Sequence, residues 1–194
     1  MKIDRRIVRT RESLRQGLVR LMLTREYDAI QINDLLAEAQ VSRAAFYAHF
    51  ASKDDLLVRS LGHLKRDLDT TAAERSDASE RLWRCSARYF AHLEEYRRLQ
   101  EAIRGGRADR LAREAIDRIW TEVLDQRILA GWRREPVKRF AVGQLTHAFS
   151  MVSVWWLDSR AGADEAQAHL RELTERGPLQ ALVGATGWGS PVAT

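Results

Sequence analysis

A chain of 194 residues with 45% hydrophobic and 30% charged residues has the composition of a folded protein and the length for one medium domain or two small ones. Its single cysteine, Cys85, excludes a disulfide framework within the chain, and its three prolines leave long helices permitted. The net charge of +5 is carried by one end: residues 1–20 hold Lys2, Arg5, Arg6, Arg9, Arg11, Arg15 and Arg20 against Asp4 and Glu12, and the remainder sums to zero. A basic arm of this kind points to phosphate contact, with an ordinary solvated arm as the alternative.

The first helix is predicted over residues 8–25, where Leu14, Leu18, Leu21 and Met22 recur at spacings of three and four. Tyr27 and Ile30 anchor a short connection. A second helix covers about 33–39, with Asn33 as its candidate cap, and Gln40-Val41 forms a turn. A third helix covers about 42–49, capped by Ser42. Ala51-Ser52 ends it, and Ser52 caps a fourth helix that runs to about Thr71 with Asp54 and Asp55 in its first turn. A polar connection at 73–79 leads to helices at about 79–98, 109–130, 137–158 and 163–175, with a short helical piece at 99–103. Gly105-Gly106, Gly131 and Gly162 punctuate them, and Pro136 opens the helix after it. No sustained period-two alternation occurs, so no sheet is expected. Phe140 to Leu157 is 18 residues without a charge, but Gln144, Thr146, His147, Ser150 and Ser153 mark it as a helix buried in protein or in a subunit interface. Cys85 reads as a small buried apolar residue. Lys2, Asp4, Arg5 and Arg6 interrupt any apolar leader, which sets the expectation of a cytoplasmic protein with no membrane contact.

The most informative segment runs from Ile32 to Phe50. Two short helices meet across a tight turn, with Ala37 expected inside because the helices cross closely. Val41 plugs the turn, and Leu36 and Phe46 close a small core. The arrangement presents the third helix outward, and the major groove is wide enough to admit it.

Residues 8–57 resemble the N-terminal domain of the TetR family of transcriptional regulators. The resemblance is carried by Ile30 through Leu57, including Val41-Ser42-Arg43, Phe46-Tyr47, His49-Phe50 and Lys53-Asp54-Asp55-Leu56-Leu57. Two departures are Gln40 where the family often has Gly, and Gln31 where it often has Thr. The resemblance implies an all-α protein: a three-helix helix-turn-helix DNA-binding domain over 1–53, a linking fourth helix over about 53–71, a helical ligand-binding and dimerisation domain over 72–183, and a disordered tail at 184–194. It places Ser42, Arg43, Ala44, Tyr47 and His49 at the DNA. Arg43 is the candidate base contact, because its fork matches the guanine edge, with a phosphate contact as the alternative. Tyr47 and His49 are expected at phosphates, and Lys53 at a phosphate near the start of its helix. Arg5, Arg6 and Arg9 would track the backbone or enter the minor groove.

For the rest of the chain the resemblance implies a ligand-sensing domain and a homodimer, and the aromatic set suggests an apolar or aromatic effector. Candidate pocket residues are Trp83, Tyr89, Phe90, Trp120, Phe149 and Trp156, each with core packing as its alternative. Val142, Leu145, Phe149, Val152 and Trp156 are expected to supply the dimer interface. The implied partner is an operator duplex, bound by a ligand-responsive repressor.

Enzyme readings find no residues to stand on. The histidines His49, His63, His92, His147 and His169 form no His-Glu-x-x-His, there is no Cys-x-x-Cys, and no metal or other cofactor is implied. Gly105-Gly106-Arg107 is a turn, and no serine stands in a nucleophile elbow. Two competing readings are a helical interaction or ligand-binding module without operator recognition, kept open by Gln40 and Ala44-Ala45, and a non-specific DNA binder, suggested by the basic arm.

Overall fold

The computed structural model describes residues 5–73 and 77–175; the tail expected at 184–194 lies outside the described residues. Among those residues the chain forms α-helices and no strand. In order they are α1 (Arg5–Met22), α2 (Ile32–Ala39), α3 (Arg43–Tyr47), α4 (Lys53–Ser60), α5 (Gly62–Ala72), α6 (Ala78–Glu95), α7 (Arg97–Ile103), α8 (Arg107–Val123), α9 (Glu135–Ser159) and α10 (Ala163–Glu175). They divide into two compact units, Met1–Gly62 with Arg97–Ala115, and His63–Tyr96 with Ile116–Thr194. The first unit is therefore discontinuous in sequence.

In the first unit, Leu14, Leu18, Leu21 and Met22 of α1 turn inward onto Ile30, Leu35, Phe46, Phe50, Leu56 and Leu57. This is the stripe that the spacing of three and four prescribes. Ile103 of α7, with Ala108 and Ala112 of α8, completes the same core. Helix α1 begins at Arg5, three residues before the predicted start at residue 8. Periodicity detects only the turns that bury a face, and the first turns of α1 are largely exposed.

The close crossing is between α1 and α2. A Cβ placed on Gly17 would lie 3.2 Å from the Cβ of Ala39, so two small residues let the backbones approach. Ala37, expected inside from the sequence, is exposed. Eight residues of α2 put Leu35 and Ala39 on the inner face, four apart, and Ala37 falls between them on the outer face.

Caps fix the short helices. The N-cap of α2 is Gln31, whose N–H donates to Asp34 Oδ2 at 2.9 Å, so the expected cap at Asn33 is corrected: Asn33 is already the second helical residue. Ser42 Oγ accepts from the Ala45 N–H at 3.2 Å and caps α3. At α4, Ser52 Oγ accepts from the Asp55 N–H at 3.0 Å and caps the helix, and Asp55 Oδ2 accepts from the N–H of Ala51, the residue before the cap, at 3.0 Å. The fourth helix expected as one piece to Thr71 is broken at Leu61. Ser60 Oγ donates back to the Leu56 carbonyl at 2.7 Å and Gly62 follows, a pairing that bends helices.

The second unit is built on α5, α6, the end of α8, α9 and α10. Asp77 caps α6 by accepting the Glu80 N–H at 2.8 Å, and Pro136 sits in the first turn of α9. A π-helical turn, Leu124–Ile128, prolongs α8. Tyr89, Phe90, Trp120, Phe149 and Trp156 are fully buried, with Leu64, Leu68 and Leu82 beside them. Cys85 is buried as expected. No helix among the described residues is long and apolar enough to cross a membrane.

Candidate nucleic-acid interface

Five residues make α3, far too few for a helix that stands alone. Its geometry comes from its attachments. Phe46 is completely buried and packs edge-on against Tyr47 and obliquely against Phe50, with ring centroids at 5.1 and 6.0 Å. Ser42 closes the first turn. The turn before it depends on Gln40, which holds φ 53°, ψ 45°, in the left-handed region. With the inner side of α3 fixed by Phe46, Ser42, Arg43, Ala44 and Tyr47 are left exposed, and Tyr47 retains 50% of its accessible surface.

Arg43 is not a loose side chain. Its Nη2 donates to Asn33 Oδ1 of α2 at 2.7 Å, and its guanidinium carbon lies 6.0 Å from the Tyr47 ring centroid. His49 follows α3, half-buried, with its ring 6.4 Å from that of Phe50 and its carbonyl accepting from Arg59 Nη1 at 2.9 Å. Four of the expected DNA residues thus share the outer side of α3, and His49 stands just beyond its end.

Lys53 is differently placed. Its ammonium donates to the carbonyl oxygens of Tyr27 and, at 2.7 Å, of Ile30, and lies 4.2 Å from the centre of the Tyr27 ring. Burial pushes its pKa below the usual lysine value. Its charge therefore satisfies the end of the 3-10 turn Tyr27–Ala29. Tyr27 O–H donates to Asp54 Oδ1 at 2.7 Å, and Arg107 of α8 pairs with the other oxygen of Asp54. Burial, and then the Asp54 carboxylate, push the Tyr27 phenol far above its usual range. This group of Tyr27, Lys53, Asp54 and Arg107 was invisible to local patterning, since Arg107 stands 53 residues from its partner.

Arg5, Arg6 and Arg9 occupy the first turns of α1 and are exposed, so they stand on a helix instead of in an extended arm. Arg15 and Arg20, also counted in the basic end, pair with Glu12 and Glu38.

The candidate sensing residues separate into two groups. Trp120 and Phe149 stack at 3.6 Å and 15°, Tyr89 meets both edge-on, and Phe90 lies against Phe149 at 6.3 Å. These are core residues of the second unit, as is Trp156. Tyr89 Oη shares a hydrogen bond with Ser153 Oγ at 2.9 Å, whereas the buried Nε1 of Trp120 has no partner. Trp83 stands apart, on a groove of about 560 Å³ lined also by Asp77, Arg84, Gln167, Arg171 and Glu175. The Arg171 guanidinium covers its ring at 4.7 Å.

Val142, Leu145, Phe149, Val152 and Trp156 are all buried within the single chain and make the inner stripe of α9. The opposite side carries Phe140, Met151 and Trp155, with 53%, 54% and 36% of their surface exposed. Trp155 stacks on His169 of α10 at 4.5 Å. A helix apolar on both sides conceals in sequence which side faces a partner. Among the described residues no group of His, Cys, Asp and Glu side chains is placed to hold a metal ion.

Residues 15–59 match the model of the bacterial regulatory proteins, tetR family. The chain is 40% identical over 57 residues to the uncharacterized HTH-type transcriptional regulator YxbF of Bacillus subtilis, and 43% identical over 49 residues to YwcC of the same organism, likewise described. These matches cover 29% and 25% of this chain but only 15% and 22% of the relatives' lengths. Across nearly the whole chain the fold resembles NalD, the secondary repressor of the MexAB-OprM multidrug efflux pump in Pseudomonas aeruginosa (TM-score 0.63, 24% identity, 89% of this chain and 96% of that one). It also resembles the fatty acid degradation regulator FadR of Bacillus halodurans (TM-score 0.62, 16% identity, 89% and 96%) and the dihydroxyacetone kinase operon activator DhaS (TM-score 0.60, 15% identity, 92% and 96%). At these identities the likeness is one of fold.

Proposed function

We propose that this chain, whose residues 15–59 match the model of the tetR family, is a TetR-family transcriptional regulator, a ligand-responsive repressor that binds a palindromic operator as a homodimer. The observation that carries the DNA reading is the two-sided build of α3: Phe46 is fully buried and Tyr47, its neighbour, is half exposed beside Arg43. A rigid inner anchor holds the outer residues at a fixed height above the domain, as groove recognition requires. In this reading Arg43 takes the guanine edge, while Ser42, Tyr47 and His49 fix register on phosphates. Ala44 is small enough to let α3 approach the bases. Arg6 and Arg9 add sequence-independent backbone attraction. Lys53 acts from inside, by holding the 3-10 turn against α4.

Two α3 helices about one DNA turn apart, roughly 34–36 Å, would meet the half-sites of a palindrome. The dimer face is the stripe of Phe140, Met151 and Trp155, where exposed apolar side chains recur along α9. An effector reaches the aromatic centre of the second unit, where the unpaired Trp120 Nε1 favours an aromatic ligand that brings one hydrogen-bond acceptor. Binding shifts DNA affinity only by the ligand's differential affinity for the two states. One fold neighbour is named an activator and another a repressor, so a promoter-reporter assay decides the sign.

The test is selection of bound duplexes from a random DNA pool at near-physiological salt. Enrichment of a palindrome, lost in Arg43→Ala/Tyr47→Ala, is the expected result. Salt-sensitive binding with no enriched motif would instead establish the non-specific binder that the basic first turns of α1 favour.

A further inference from the structure

We propose that Asn33 is a positioning residue for base recognition, holding the Arg43 guanidinium ready before DNA arrives. The inference rests on the reading of Arg43 as the base contact. Asn33 lies on α2 and Arg43 on α3, ten residues apart across the turn, and the Asn33 amide oxygen accepts from Arg43 Nη2 at 2.7 Å. The Tyr47 ring, one turn further along α3, stands 6.0 Å from the same guanidinium, at the outer edge of cation–π range. The planar fork is thus held at one corner by an amide and bordered by an aromatic ring.

Three features make this pair more than a tie between two helices. First, α3 is already fixed by the buried Phe46 and by the Ser42 cap, so the fold does not depend on an exposed hydrogen bond. Second, Asn33 is not needed to start α2, because Gln31 and Asp34 do that. Third, Arg43 has no carboxylate against it here. Its partner is a neutral acceptor, which orients the charge without neutralising it. A carboxylate at position 33 would repel phosphates; an amide does not. The N–H groups that Asn33 leaves unused remain for a base edge. An arginine held in this way loses less side-chain freedom when it docks, and that difference appears as affinity for the base it reads.

The experiment compares binding of the full-length wild type, Asn33→Ala, Arg43→Ala and the double variant to the selected operator and to duplexes changed at each base pair of a half-site. Melting temperature is measured alongside. Asn33→Ala is expected to lower preference about 3- to 10-fold at the base pair that Arg43→Ala affects. The double variant is expected to bind no worse than Arg43→Ala alone. All four are expected to melt alike. Asn33→Asp keeps the acceptor and is expected to keep the base preference while affinity falls for every sequence and the salt dependence weakens. An Asn33→Ala effect at a different base pair, additive with Arg43→Ala, would make Asn33 a direct reader and overturn the inference. So would unchanged preference in Asn33→Ala. Arg43→Ala that leaves every base preference intact removes the Arg43 reading itself, a result distinct from failure at Asn33 alone.

Discussion

Gln40 is the residue at which local strain and sequence departure coincide. It occupies the left-handed region at φ 53°, where a side chain carries a steric cost that glycine does not. Gln40→Gly is expected to raise stability by about 0.5–1 kcal/mol, the relief of strain exceeding the added freedom of the unfolded chain; a thermal melt measures it, and a lower melting temperature would contradict the strain. Most of the candidate site's geometry was legible at this scale. Ser42, Arg43 and Tyr47 stand out in the sequence because a capped short helix between two apolar anchors has only one side left to expose. Asn33 was misassigned because its type suits a cap, and only the crossing of α2 and α3 decides that its amide turns to Arg43. Lys53 was read from its place in the helix, where charge suggests a phosphate; the carbonyls that take its protons come from a turn that no local pattern positions.

Between elements, the α1–α2 crossing and the Tyr27 group hold the reading head together. At the crossing, Gly17→Leu drives four extra carbons toward Ala39 and is expected to cost about 1–3 kcal/mol in a denaturant melt. The Tyr27 group has a pH signature. The folded phenol keeps its proton well above the usual 10.0, while the unfolded one loses it near that value. The folded state therefore binds more protons above pH 10, so this contribution is complete below the unfolded value and declines as pH rises past it. Lys53, with its folded pKa lowered, acts in the opposite sense: its cost fades as pH climbs toward and past 10.5. Tyr27→Phe isolates the phenol. It is expected to lose about 1 kcal/mol at neutral pH, from the hydrogen bond to Asp54, and to show less alkaline loss than the wild type; equal alkaline slopes would show that the phenol does not couple to folding. Helix positions were readable throughout because each buries a stripe at helical spacing, but the break at Leu61 was not, since Ser60 and Gly62 are ordinary residues until a hydroxyl turns back on the helix.

For the whole molecule, the two stripes of α9 give opposite expectations. Met151→Glu/Trp155→Glu is expected to turn the proposed dimer into a folded monomer in sedimentation, because charge on an exposed apolar face disfavours association without entering a core. Trp156→Ala is expected to cost about 3–5 kcal/mol of folding stability, since it empties a buried site. A dimer that survives the first pair of changes would move the interface elsewhere. The inner and outer stripes were not separable in sequence, because phenylalanine and tryptophan occur on both. The discontinuous first unit carries a different kind of consequence, one of time. Its core closes only with Ile103, Ala108 and Ala112, so a ribosome must deliver about 50 further residues after Gly62 before the reading head can finish folding, a delay of roughly 2–10 s at ordinary rates of synthesis. Throughout that interval the apolar face that Ile103, Ala108 and Ala112 will cover stays open to water and to chaperones.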